Sequence, residues 1–402
     1  MSQVDRRLRR GIAAVLGAAL IAGCGAGPAT PTPPPATPAA SSPGPVLRPG
    51  PPTSLDRVAD GPTLHGDAVS GPRLVAVPGG AFLMLKSEDM PTGGVLLRSG
   101  DGHTWAQVDA SRSGLDAGGI EDMAASDTTI VILGTNEPLT GDSTQAPTQV
   151  EWTSTDGTTW TRVPDAAALQ SFDALNLVGS PAGFVLLANE PLGILMSGPD
   201  GRQWRHVTLP VPTGATGTLN QVVPTTDGYL AVGTINGRSA AWRWNHAGWS
   251  GLPFVNTDSI TSIVANDERI VVAGSVEVPD PANPNDPRLT SVAWQSTDGG
   301  ATWGATGLAL DGIVDIRLFA VGGGFLAVLS PTVVERQLSA WRSVRAGTWE
   351  QVTLANGGTG WDRPLAGVLA LSGQRVVLAG NTVGTGAGGD RVVIWFGDTT
   401  AP

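Results

Sequence analysis

Ser296-Thr297-Asp298-Gly299-Gly300-Ala301-Thr302-Trp303 is one member of a set. Ser154 to Trp160 reads STDGTTW, Ser99 to Trp105 reads SGDGHTW, and Ser197 to Trp204 reads SGPDGRQW. Two worn copies, Ser343 to Trp349 (SVRAGTW) and Trp244 to Trp249 (WNHAGW), keep the outline. Self-similarity of this kind marks a repeat architecture. The motif has a physical reading of its own. Ser and Asp side chains bond backbone amides two residues on, and Gly supplies the positive φ of a tight turn. The Trp that follows is a large apolar ring in need of a place to be buried. Each copy therefore reads as a hairpin turn pinned by its own side chains and anchored by an indole.

Working outward from the motif, the chain from Ser54 divides into units of four short strands, A to D, with the turn joining C to D. Strand B is a continuous apolar run in each unit, beginning at Phe82, Ile130, Phe184, Tyr229, Ile270, Phe325 and Val376. Such runs suit strands covered on both faces. Strand C carries Trp152, Trp242, Trp294, Trp341 and Trp395 in one register, with Leu97 and Leu195 in that place in the other two units. The seventh unit lacks strand D, and Ser54 to Asp60 aligns with the D strand Thr159 to Asp165.

The pattern Ser/Thr-x-Asp-Gly-x-Thr-Trp resembles the Asp-box, or bacterial neuraminidase repeat, of sialidase-like β-propellers. The resemblance covers residues 54–402 at repeat level and implies an all-β chain. The fold expected is a single β-propeller of seven four-stranded blades, closed by the N-terminal strand completing the last blade. It implies that the motif lies on the outer rim of a blade. Ser99, Asp101, Trp105, Ser154, Asp156, Trp160, Ser197, Asp200, Trp204, Ser296, Asp298 and Trp303 are accordingly read as structural. The group includes six-bladed sialidases and seven-bladed xyloglucanase-like and photosystem-assembly propellers, so the motif specifies fold and leaves activity open.

Composition agrees with many turns: 55 Gly and 32 Pro among 402 residues, with 41% apolar content. The net charge of −11 repels phosphate backbones, which argues against a nucleic-acid partner. Cys24 is the single cysteine, so neither an internal disulfide nor a Cys-based metal site is available. Four arginines within residues 1–10 precede an apolar run, Gly11 to Gly23, too short to span a bilayer. The run ends Leu20-Ile21-Ala22-Gly23-Cys24, which resembles the lipobox of bacterial lipoproteins and implies cleavage before Cys24 and its lipidation. Residues 1–23 are then a signal peptide, and 24–53 a Pro/Ala/Thr-rich tether with eleven prolines after Gly25. Residues 54–402 form the propeller, expected as a monomer on the outer face of the cytoplasmic membrane.

Candidate chemistry is sparse. A sialidase-like site implies an arginine triad and a Tyr nucleophile. Tyr229, the single tyrosine, stands where Phe82, Phe184 and Phe325 stand in other units, which is a core register. On strand A, which lines the central channel, Asp122, Asp173 and Asp315 fall at similar points, with Arg317 near the third. Asp67, Arg73, Asn220 and Arg363 are possible neighbours. Channel acids can serve as acid and base of a carbohydrate-active hydrolase or lyase, or can bond backbone amides of the next blade. The second role is expected. His65, His103, His206 and His246 belong to different units, so no metal centre is expected and no cofactor is implied. The long B–C loops, Thr135 to Thr148 and Val276 to Thr290, mark the candidate binding face. The function expected is a lipid-anchored binding or scaffold module for a cell-envelope protein or glycan. Cys24→Ala should leave the chain uncleaved or release it from the membrane fraction. An unacylated Cys24 in the mature chain, seen by mass spectrometry, would refute the anchor.

Overall fold

The computed structural model describes residues 54–398. Excepted are 64–72, 78–79, 87–93, 103, 110–114, 116–118, 136–147, 165–166, 170–175, 188–191, 226–227, 254–258, 267–268, 281–287, 312–313, 322–323, 332–338, 344–347, 355–361, 364–367, 372–374 and 383–390. The segments expected to be a signal peptide (1–23) and a tether (24–53), with Cys24, lie outside the described residues. So do His65, Asp67, His103 and Asp173, and the interiors of both long B–C loops.

The chain is an all-β propeller. Strand β1 (Ser54–Thr63) is followed by six four-stranded antiparallel blades. They are β2–β5 (Arg73–Val77, Gly80–Lys86, Gly94–Ser99, Ala106–Gln107), β6–β9 (Gly119–Ala125, Ile130–Thr135, Gln149–Ser154, Thr161–Val163) and β10–β13 (Asn176–Ser180, Gly183–Leu187, Gly193–Ser197, Arg205–Thr208). The second three are β14–β17 (Gly217–Thr225, Gly228–Ile235, Arg238–Trp244, Trp249–Leu252), β18–β21 (Ser259–Ala265, Ile270–Val278, Arg288–Ser296, Gly304–Asp311) and β22–β25 (Val314–Val321, Gly324–Pro331, Ser339–Ser343, Glu350–Leu354). Then come β26 (Asp362–Arg363), β27 (Val368–Leu371), β28 (Arg375–Thr382) and β29 (Arg391–Asp398).

The expected seven four-stranded blades are therefore six. The strands of the last repeat join the sheet of the sixth blade and make it nine-stranded. The reason is that β1 is shared. Its start runs parallel to β25 (Ser54 opposite Thr353, Leu55 opposite Leu354), and the rest runs antiparallel to β29 from Asp56 opposite Phe396 to Thr63 opposite Arg391. First strands of successive sheets touch in turn, from β2 through β6, β10, β14, β18 and β22 to β27, and β27 returns to β2.

The second strand of a blade explains why its sequence is apolar without alternation. Ile130 and Ile132 face the first blade in one cluster, while Val131 and Leu133 face the third in another. Phe184 and Leu186 repeat this against Val185 and Leu187, as do Tyr229 and Ala231 against Leu230 and Val232. The strand is buried on both sides because sheets stack face to face, and the pleat assigns alternate residues to alternate neighbours. Pairing also corrects one register. Trp152, Leu195, Trp242, Trp294 and Trp341 oppose the third residue of the B run, and in the first blade that place is Leu96 and not Leu97.

The repeat turns are built as their sequence suggests. In the second blade, Ser154 Oγ accepts from the Gly157 amide at 2.8 Å and donates to Asp156 at 3.1 Å. Asp156 Oδ1 accepts from the Thr158 and Thr159 amides at 2.7 and 2.9 Å. Ser99 with Asp101, and Ser296 with Asp298, make the same bonds. These amides hold the Asp156 carboxyl far below the usual range. The Thr302 hydroxyl and amide hold Asp298 at about 2. The third copy, with its extra Pro199, departs: Ser197 Oγ donates to the Gly198 carbonyl instead. Gly157 (φ 67°) needs its missing side chain twice over, since a Cβ there would stand 2.6 Å from the Phe82 ring of the preceding blade. Trp160 is buried edge-on to the same ring, centroids 6.2 Å apart, whereas Trp303 is half-buried and donates to the Pro253 and Gly300 carbonyls.

Removing residues 54–60 strips β29 of a neighbour and leaves an open backbone edge. Such a chain should melt lower, by about 5 °C or more, than one beginning at Thr53. Equal melting temperatures would show that the β1–β29 ladder carries no stability.

Candidate functional site

Asp122 sits on β6, buried to 2% exposure. Its carboxylate meets the Arg73 guanidinium of the first blade at 3.1 Å. It also accepts from the Met123 amide, and from the Leu177 amide of the third blade, each at 2.8 Å. One side chain thus ties three consecutive blades together. Its position is fixed by a bulge: Ile120 pairs with Gly134 and Asp122 with Leu133, leaving Glu121 as the extra residue. The same device recurs. Asn220 is the extra residue in β14 and Thr261 in β18, each beside a glycine, Gly233 and Gly274. The residue after the bulge again reaches the next blade. Gln221 Oε1 accepts from the Ile263 amide at 2.9 Å, and Ser262 Oγ accepts from the Leu318 amide at 3.1 Å.

This register corrects the expected ring of acids. The partner of the fourth B-strand residue is Asp122, Asn176, Gln221, Ser262 and Arg317 in blades two to six. Asp315 lies two residues away, opposite Ser330, so it does not share the station of Asp122. Arg317 does share it and is exposed. Asp173 falls outside the described residues. Among the described residues, the station holds one carboxylate, and that carboxylate is fully engaged. Sequence reading missed Gln221 and Ser262; the glycine opposite each bulge is the signal that marks them.

Tyr229 is buried in the core between the third and fourth blades, 5.7 Å from the Trp244 ring. Burial pushes its hydroxyl up to about 12, which suits packing and not nucleophilic attack. Among the described residues no three His, Cys, Asp or Glu side chains are grouped to hold a metal ion. His206 is exposed on β13, and His246 occupies the turn between β16 and β17.

Two features were not legible as sites. The first is Glu151 on β8, with 0% exposure, where other blades place Ala241, Ala293 and Ala340. Its Oε2 accepts from the Trp204 indole of the third blade at 2.9 Å, and Oε1 has no partner. Burial, reinforced by Asp200 and opposed by Trp204 and Arg202, raises it to about 7. The second is a groove of about 430 Å³ between the third and fourth blades, bordered by β13 and the turn at His246.

No protein-family model matches the chain, and no curated protein matches it. Solved structures do. YCF48 from Cyanidioschyzon merolae is similar at 15% identity and TM-score 0.51, spanning 84% of this chain and 99% of that one. YCF48 bound to D1 peptide is similar at 13% and 0.50, over 85% and 96%. An ancestral GH74 enzyme is similar at 12% and 0.51, over 85% of this chain and half of that one. At such identities the likeness shows the β-propeller fold and nothing finer.

Glu151 gives the fold a pH dependence with a definite sign. Its folded value lies above the ordinary carboxylate range, so its contribution is complete below about 4.5 and lost as pH rises through about 7. Glu151→Gln keeps an acceptor for Trp204 and removes the ionisable group. The variant should melt higher than the parent at pH 8, by up to about 3 kcal/mol in stability, and alike at pH 4.5. A parent whose stability does not fall relative to the variant between pH 5 and 8 would contradict the assignment.

Proposed function

We propose that this chain is a non-catalytic binding or scaffold propeller of the cell envelope. In this reading Cys24 carries the lipid, residues 24–53 are the tether, and residues 54–402 meet a protein or glycan partner on the outer face of the cytoplasmic membrane. One observation carries the absence of catalysis. Asp122, the carboxylate at the expected station, is bound by Arg73 and two backbone amides, and among the described residues its counterparts in blades three to six are Asn176, Gln221, Ser262 and Arg317. Glycoside hydrolysis by the usual route needs two carboxyls about 5–10 Å apart, one free to hold a proton and one free to attack or activate water. YCF48 bound to D1 peptide and the GH74 enzyme share this architecture at similar distance, and a protein partner is consistent with the first of them.

The Asp122 contacts separate this reading from an enzymatic one. Asp122→Ala leaves the Leu177 amide without its side-chain acceptor and removes the ion pair to Arg73, and should cost about 2–4 kcal/mol of stability. Partner capture at the cell surface should persist below the lowered melting temperature. Turnover of an envelope polysaccharide by the parent, abolished by Asp122→Ala in a chain that remains folded, would overturn the proposal.

A further inference from the structure

The groove between the third and fourth blades has a chemistry unlike the rest of the molecule. The whole chain carries 35 acidic and 24 basic residues, yet the groove is lined by Arg205 and His246 and by no Asp or Glu. Arg205 is exposed and makes no ion pair among the described residues. The apolar walls are fixed in place. Trp244 is buried with Tyr229 on one side, and the His246 ring stands against it at 4.9 Å. Trp249 is half-buried, its indole donating to Met196 Sδ at 3.4 Å. His246 holds a left-handed backbone, φ 59°, a conformation that non-glycine residues keep only where their surroundings impose it. The volume of about 430 Å³ is in the range of small binding sites, roughly 300–1,000 Å³.

Backbone adds a preference for peptide. β13 ends its sheet, so among the described residues the strand that carries Arg205, Val207 and Thr208 along the groove has one edge without a strand partner. An extended chain can add its own amides and carbonyls there, and alternate side chains then reach the wall. Charge selects the rest: a cation in an acidic surface draws a carboxylate and orients it.

We propose that this groove receives an extended acidic peptide segment of the partner. A carboxylate lies against Arg205 and His246, and an apolar side chain packs on Trp249. The inference rests on the binding reading above and names where and by what chemistry the partner is held.

The test uses the full lipidated chain in detergent and three probes. They are a fluorescein-labelled peptide of alternating Glu and Leu, the same peptide with Gln for Glu, and oligogalacturonate, which bears carboxylates on sugar. The Glu–Leu peptide should bind and quench tryptophan fluorescence. Arg205→Gln should weaken it at least tenfold without lowering the melting temperature, since Arg205 is exposed. Trp249→Phe, which keeps an aromatic ring, should remove part of the quenching. Higher salt should weaken the parent and leave Arg205→Gln nearly unaffected. Equal affinity for the Gln–Leu peptide, or equal binding by Arg205→Gln, would overturn the groove. Tighter binding of oligogalacturonate than of peptide would overturn the peptide assignment. A chain that still captures its envelope partner after Arg205→Gln would refute this inference and leave the binding reading standing. Polysaccharide turnover would remove that reading itself.

Discussion

Everything in this molecule follows from stacking sheets face to face so that the second strand of each blade has no free side. Val131 and Leu133 belong to one neighbour, Ile130 and Ile132 to the other. A fully buried aliphatic or aromatic side chain contributes roughly 1.5–3 kcal/mol, and the second blade supplies four on this strand alone. The stacking is also a constraint, because whatever else lies at the seam must fit the gap. Gly157 and Gly201 are the visible result. A Cβ at Gly201 would stand 2.5 Å from Val131 of the preceding blade, so a turn with any larger residue would push the sheets apart. The repeat motif is thus a spacer as much as a turn. Its Asp is spent on local amides, which explains why an acidic residue recurs with no acid chemistry attached to it.

The same seam decides what polar groups can do. At the inner end, backbone amides of one blade face the next with no strand to accept from them. Asp122, Gln221 and Ser262 fill that need, each lifted into position by a one-residue bulge. Residue type matters less than having an acceptor there, which is why a carboxylate, an amide and a hydroxyl interchange. Towards the outer strands, Glu151 shows the converse. It has one indole donor for two oxygens, and the apolar seam raises its proton affinity because burial disfavours the charged form by more than the Trp204 bond and the Arg202 charge offset.

The B strands were legible because burial on both faces writes an unbroken apolar run, and the turns because φ and side-chain bonding restrict them to Gly, Ser and Asp. Strand A was legible only in outline. It has no run and no invariant residue type at its key station, and bulges at Glu121, Asn220 and Thr261 insert a residue that strand A itself does not announce, the marking glycine standing on strand B. Aligning Asp122 with Asp315 by their hydrophobic neighbours therefore misplaced the latter by two residues. Leu97 for Leu96 is the same kind of error, in a blade whose strand C lacks the indole that marks the register elsewhere. The blade count depended on pairing at the chain's two ends. β1 meets both β25 and β29, and a sequence can propose the second partner but does not reveal the first.

Function, on this architecture, has few places to reside. A side chain at the seams is committed: to hydrophobic contact in the middle of the blade, to an inter-blade acceptor at the inner end, to a turn at the outer end. Freedom returns where the repeat is worn. The fourth blade has Trp244-Asn245-His246-Ala247-Gly248-Trp249 in place of the Ser/Asp turn, and His246 takes the left-handed conformation that glycine takes in intact copies. Losing the Asp and its bonds leaves a turn whose side chains face outward and whose two indoles frame a gap beside β13. Loss of the Ser/Asp turn in the fourth blade opens a surface without disturbing the seams on which the ring stands. A binding site placed there needs no change to the fold, which is the condition under which a rigid scaffold can acquire a partner.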